Sequence, residues 1–176
     1  MSALWRIEPR GVDTARVLTP MTAADVDAVQ AIESGVYAFA WTRGNFIDSL
    51  AAGYESELLR LGGDERLLGY YVAMAGADEM HLLNITVAPA AQRQGHARFM
   101  LARLIARCRR VGAHRLWLEV RVGNAGARTA YQRLGFAEMG VRPGYYPAAH
   151  GQRESALVMS LSIDPEAETE TDHALE

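Results

Sequence analysis

The run Val87-Ala88-Pro89-Ala90-Ala91-Gln92-Arg93-Gln94-Gly95-His96-Ala97-Arg98 joins an apolar stretch to a long amphipathic one. With a strand before it and a helix after it, Gly95 and Ala97 fall where the helix begins. The first backbone N–H groups of a helix lack internal partners and lie at its positive dipole end. Small residues there let a phosphate approach the backbone, and Arg93 and Arg98 could add charge-assisted hydrogen bonds. Gln94 and His96 complete the turn. An ordinary strand–loop–helix junction with Gly95 as N-cap is the competing reading, and these residues alone do not beat it. No Gly-Lys-Ser/Thr follows, and the spacing is not Gly-x-Gly-x-x-Gly, which argues against nucleotide hydrolysis and hydride transfer.

Proton chemistry could come from Glu119 and Tyr131. On a strand over Arg115 to Val122, Trp117, Glu119 and Arg121 share one face, and Leu116, Leu118 and Val120 the other. A carboxylate there is either exposed and paired to a neighbouring arginine, or a general base beside Trp117 whose pKa rises by partial desolvation. Tyr131 lies in line with Ala127 and Leu134, a pattern typical of a core tyrosine. If it is buried, its hydroxyl needs a partner, and a cofactor sulfur could be one. Phe39, Trp41, Tyr145 and Tyr146 read as loop aromatics that either seal the core or line a binding cleft. The histidines at 81, 96, 114, 150 and 173 show no metal-ligand spacing, so no metal is expected. The lone Cys108 sits in an apolar helical pattern and reads as a small buried hydrophobe. Nothing resembles a Ser–His or Cys–His pair, so no enzyme nucleophile is indicated.

The elements that must hold these residues follow from periodicity. Arg16 to Thr19 reads as a first strand. Thr22 and Asp25 form a capping box for a helix over about 23–34 carrying Val26, Val29 and Ile32. A short helix begins at Thr42, with Phe46, Ile47 and Leu50 on one face. Strands over Glu57 to Leu61 and Leu67 to Ala75 flank the turn signal Gly62-Gly63-Asp64. Met80 to Val87 reads as a buried strand. Gly95 to Val111 is an amphipathic helix with Leu101, Leu104, Ile105, Cys108 and Val111 inward. Asn124 is a suitable N-cap for a short helix ending at Leu134 and Gly135. Phe136 to Val141 and Ala156 to Ile163 are the final strands, joined by a loop through Pro143 to Pro147. Residues 1–15 read as a loose lead-in.

Composition sets the class. The 176 residues, 49% hydrophobic and 22% charged, suit one soluble domain over 1–163, followed by an acidic, disordered tail over 164–176. A net charge of -3 without a basic run argues against a nucleic-acid footprint. No stretch nears the ~18 apolar residues of a membrane span, and no signal peptide is evident. One cysteine allows no intrachain disulfide and fits the cytoplasm.

Gln92-x-x-Gly95-x-Ala97 resembles the Gln/Arg-x-x-Gly-x-Gly/Ala signature of the GNAT superfamily of N-acetyltransferases, whose turn binds the pyrophosphate of acetyl-CoA. The resemblance runs from about Val17 to Leu161. It is nearest to the bacterial ribosomal-protein alanine N-acetyltransferases (the RimI group). Tyr37-Ala38-Phe39-Ala40-Trp41, Leu83-Asn84-Ile85-Thr86-Val87, Trp117 to Arg121, Ala130-Tyr131-x-x-Leu134-Gly135-Phe136 and Tyr145-Tyr146-Pro147 carry it.

The resemblance implies an α/β fold, a mixed and mostly antiparallel sheet flanked by helices, with central strands splayed to admit the cofactor. It implies Glu119 as proton acceptor and Tyr131 as the acid that protonates the departing thiolate. Cofactor contacts would come from Ile85, Thr86, Val87, the turn from Arg93 to Arg98, and Asn124, with an oxyanion donor at the end of the Ile85 to Val87 strand. His96 replaces a glycine or small apolar residue, and its imidazole either covers phosphate or faces solvent. Phe39, Trp41, Tyr145 and Tyr146 would flank a peptide groove. The expected reaction is direct acetyl transfer in a ternary complex to a protein N-terminus, by resemblance the alanine of a small-subunit ribosomal protein. An α-amine, with a pKa of about 7.7–8.0 against about 10.4 for lysine, is the easier acceptor near neutral pH. A small-molecule amine, an internal lysine and a non-catalytic acyl-CoA-binding module are the alternatives.

Overall fold

The computed structural model describes residues 16–62 and 66–164. The expected lead-in, the tip of the first hairpin turn and nearly all of the expected tail lie outside the described residues.

Seven strands form one sheet: β1 (Arg16–Pro20), β2 (Glu55–Leu61), β3 (Leu67–Ala75), β4 (Glu79–Val87), β5 (Arg115–Arg121), β6 (Ala137–Pro147) and β7 (Arg153–Ser162). Its order is β1-β2-β3-β4-β5-β7-β6. Only the β4–β5 pair is parallel. The helices are α1 (Val26–Val36), α2 (Arg43–Ala51), α3 (His96–Arg110) and α4 (Ala125–Arg133). This is the mixed, mostly antiparallel sheet flanked by helices that the sequence led us to expect.

Adjacent side chains on the central strands go to opposite faces, and both faces are covered. Leu58, Tyr70 and Val72 meet Val26, Val29 and Phe46 from α1 and α2. Leu59, Tyr71 and Ala73 join a larger cluster that includes Met100, Leu101, Leu104 and Cys108 of α3. Burying such an aliphatic side chain contributes about 1.5–3 kcal/mol. Tyr131 of α4 and Leu134 just after it pack on the α3 side.

Several boundaries differ from the sequence reading. Thr22 and Asp25 do form the box, with the Thr22 N–H donating to Asp25 Oδ2 at 2.9 Å. It starts a 3-10 turn over Ala23–Asp25, and α1 then runs on to Val36. Val111 is 43% exposed, because α3 ends before it. The expected loop through Pro143 to Pro147 is part of β6. Pro143 and Gly144 are turn signals, but here they form an irregularity. Arg142 pairs Ala156 and Tyr146 pairs Glu154, so three β6 residues stand against Ser155 alone. Gly144 takes the left-handed φ of +57° this requires. Arg153 at the start of β7 clamps the distortion, donating to the Gly144 carbonyl and, at 2.7 Å, to that of Tyr145. Tyr145 and Tyr146 are therefore strand residues, not loop residues.

All 18 Lys/Arg positions are arginine. Guanidinium groups lie over aromatic rings at Arg115–Trp117 (5.3 Å) and Arg121–Tyr146 (4.5 Å). Among the described residues no helix is long and apolar enough to cross a membrane.

Candidate active site

The parallel pairing of β4 and β5 stops at Leu82 and Leu118. Beyond it β4 continues to Val87 against β3, β5 continues to Arg121 against β7, and the two part. A bulge marks the parting. Val72 pairs Asn84 and Ala73 pairs Leu82, leaving Leu83 without a partner and 38% exposed. An extra residue bends a strand and re-aims the side chains beyond it. The Ala88 N–H donates to the Leu68 carbonyl at 2.8 Å. Alternation along β4 therefore turns the backbone groups of Ile85 and Val87 away from β3, into the splay. Gly69 opposite permits this close packing, since a Cβ there would meet the Thr86 carbonyl oxygen at 2.5 Å.

The turn after β4 has the form its sequence suggested. A 3-10 turn over Pro89–Ala91 comes first, and the Gln92 side-chain amide donates to the Val87 carbonyl at 3.1 Å. Arg93 and Gly95 take left-handed φ values of +62° and +81°. Phe99 N–H closes the first helical bond on Gly95 O at 3.0 Å, and earlier amides of a first turn have no helical acceptor. A Cβ on Gly95 would find nothing nearer than Arg16 at 3.9 Å, so the turn is open to an approaching anion. Arg93 and Arg98 are exposed. His96 is 6% exposed, so its imidazole does not face solvent. Asn124 caps α4, accepting from the Ala127 N–H at 3.1 Å.

Trp117, Glu119 and Arg121 share one half-buried face of β5, alternating with buried Leu116, Leu118 and Val120. Glu119 does have an arginine partner, Arg142 of β6, whose Nη1 stands 2.8 Å from Oε1. Tyr146 donates to the Glu119 carbonyl at 3.0 Å. Burial raises the Tyr145 pKa, and a hydrogen bond to the Glu119 side chain adds to it.

Tyr131 stands on the α3 side, its ring 5.6 Å from that of Phe136. Burial pushes its pKa far above the usual phenol range, with smaller contributions from Tyr37 and Tyr146. Among the described residues its hydroxyl has no hydrogen-bond partner.

A cleft of about 280 Å³ opens beside this cluster, lined by Tyr37, Phe39, Arg121 and Glu154 with Ala148 and Ala149. Phe39, 46% exposed, stands at the cleft. Trp41 turns away and packs 5.4 Å from Phe46. Glu154 is held below the usual carboxylate range by the Gly123 N–H and then by Arg121, 2.9 Å from it. Sequence reading did not single out Tyr37, Arg142 or Glu33. Glu33 had a readable signal, since it follows Val26 and Val29 at i+7 and i+4 on the buried face of α1. Among the described residues no group of three or more His, Cys, Asp or Glu could hold a metal ion.

Comparison with known proteins gives likenesses of family, of sequence and of structure. Residues 26–136 match the acetyltransferase (GNAT) family. The ribosomal protein bS18-alanine N-acetyltransferase of Salmonella typhimurium is 37% identical over 143 residues, spanning 81% of this chain and 95% of that protein. Among solved structures, the ribosomal-protein-S18-alanine N-acetyltransferase of Escherichia coli superposes with a TM-score of 0.78 at 34% identity, over 88% of this chain and 97% of the other. Arabidopsis thaliana Naa50, solved with the bisubstrate analogue CoA-Ac-MVNAL, superposes with a TM-score of 0.72 over 84% and 99%. At 15% identity, that likeness is one of fold.

Proposed function

The chain belongs to the GNAT acetyltransferase family and is an N-acetyltransferase, and from that premise we propose that it acetylates a protein N-terminal α-amine. The proposed acceptor is the N-terminal alanine of ribosomal protein bS18, the proposed cosubstrate acetyl-CoA and the proposed compartment the cytoplasm. The observation that carries the reading is the near full-length likeness to enzymes of that name, at 37% identity. The site is compatible with it. The open cleft at Arg121, next along the same face of β5 from Glu119, offers a chain end one entry, and the splay with its anion-ready turn offers the cosubstrate another.

In this proposal the backbone N–H groups from Arg93 to Arg98 hold the pyrophosphate, with Asn124 and the freed edge of β4 along the rest of the molecule. Acetyl-CoA supplies an activated acyl carbon; the C–N bond forms as the C–S bond breaks. Glu119 takes the proton the amine loses, directly or through a water. Tyr131, held neutral by its burial, donates a proton to the departing sulfur. The Ile85 and Val87 N–H groups, turned into the splay, are the candidate donors to the carbonyl oxygen where charge develops.

The test is free-thiol release from acetyl-CoA with two matched peptides. One begins with a free alanine and contains no lysine; the other is N-terminally blocked and contains lysine. Turnover of the first alone is expected. Turnover of the second alone would make the chain a lysine acetyltransferase. If neither reacts, the protein acceptor fails and small amines are tested next.

A further inference from the structure

Glu33 is a carboxylate with 2% exposure, and the proposed acetyl transfer does not use it. It stands near the end of α1 with four donors around it. Oε1 accepts from the Trp41 backbone N–H at 2.9 Å and the Asn84 side-chain amide at 3.2 Å. Oε2 accepts from the Tyr70 hydroxyl and lies 3.3 Å from the Thr86 hydroxyl, whose single proton it shares with Asn84 Oδ1 at 3.0 Å. These donors belong to three separate parts of the fold: the α1–α2 connection, β3, and the bulged end of β4. A buried charged group costs free energy unless hydrogen bonds satisfy it, so an apolar side chain would serve the core better unless the link itself is needed.

What the link joins is the two walls of the site. Asn84 and Thr86 flank Ile85, whose backbone faces the splay. On the other wall, Tyr37 and Phe39 line the cleft between Glu33 and Trp41, the two ends that the carboxylate ties together. The Tyr37 N–H also bonds the Glu33 carbonyl at 3.0 Å, and the Tyr37 hydroxyl lies 3.3 Å from that of Thr86 and 3.5 Å from the Ile85 carbonyl.

We propose that Glu33 is the positioning residue for the acceptor, setting the spacing between the 37–41 segment and the freed end of β4 through its hydrogen bonds to Trp41, Asn84 and Thr86. It touches neither reacting group, so its effect falls on acceptor binding. The proposal rests on the protein N-terminus being the acceptor. The phosphate turn lies beyond Val87 and is attached to none of these donors, so the hold on the pyrophosphate stays in place and the acceptor side carries the larger change.

The test is steady-state kinetics of the full chain with the alanine peptide and acetyl-CoA, on wild type, Glu33→Ala, Glu33→Gln and Asn84→Ala, with thermal melts of each. Glu33→Gln can keep Trp41 and Asn84 on its carbonyl and give its amide protons to the two hydroxyls, which can accept. Glu33→Ala is expected to raise the peptide KM about ten-fold, the size lost with one charge-assisted hydrogen bond. The KM for acetyl-CoA should rise less than that for the peptide, and Glu33→Gln should restore most of the peptide KM. Asn84→Ala, which removes one link outside the proposed cosubstrate contacts, should move the peptide KM the same way even if Glu33→Ala does not fold. Equal rises in both KM values, or a fall in kcat alone, would overturn the proposal, as would an unchanged peptide KM in every folded variant. An inactive wild type would instead defeat the acceptor reading on which the proposal rests.

Discussion

At the residue scale, the proposed acid and base could be named from likeness, but their surroundings could not. Glu119 has Arg142 on its carboxylate, and that pairing depends on how β6 sits beside β7, which no local pattern encodes. Glu33 was legible as a carboxylate on an apolar stripe, yet its donors come from β3 and β4 and cannot be read from α1. Two predictions belong here. Glu119→Gln should lower kcat by about 10²–10⁴, the usual contribution of a general base, while the Kd for CoA from calorimetry stays within about two-fold. Full activity would remove Glu119 from its role. Cys108 is 0% exposed, and burial pushes its thiol up to about 11. It should therefore resist an aromatic disulfide at pH 8 and react only as the protein unfolds in urea. Rapid stoichiometric labelling of the native protein would contradict its placement. The same inertness leaves the thiol-release assay reporting CoA alone.

At the element scale, helices and their caps were the most legible parts, because a 3.6-residue period and a capping side chain are local. The strands beside the site were the least. Pro143 and Gly144 argued for a loop, and the chain instead absorbs them within β6. The bulge at Leu83 coincides with a slip in alternation, polar at Glu79 and His81 and then at Asn84 and Thr86, which the reading of one buried strand passed over. The turn before α3 was legible because it requires an unusual backbone at a fixed place. Gly95 at φ +81° has free space around its missing Cβ, so Gly95→Ala acts through the backbone alone. A left-handed alanine costs roughly 1–2 kcal/mol. Gly95→Ala should lower Tm by a few degrees and weaken CoA, as read by calorimetry. Unchanged CoA affinity would separate the turn from the cosubstrate.

At the scale of the molecule, the sheet order and its splay are non-local, and only the family likeness made them readable beforehand. The whole fold also has a pH signature. Burial raises the pKa of Tyr37, Tyr70, Tyr71, Tyr131, Tyr145 and Tyr146 above the ordinary phenol value. A group with a raised native pKa keeps its full contribution below the unfolded value of about 10 and loses it as pH rises further. For fully buried Tyr70 and Tyr71 the loss is about 1.4 kcal/mol per pH unit each. Urea midpoints should hold between pH 7 and 9 and fall steeply from 10 to 11.5; a flat profile there would mean these phenols ionise in place. The guanidinium groups stay charged throughout this window. Because every Lys/Arg position is arginine, no side chain of this chain offers the nucleophilic amine that an acyl donor seeks. In a reaction followed by isotope, each acetyl amide recovered on protein can then be assigned to the acceptor or to the enzyme's own amino end. The catalyst's side chains are silent towards the bond it makes, and only its amino end has to be told apart from the product.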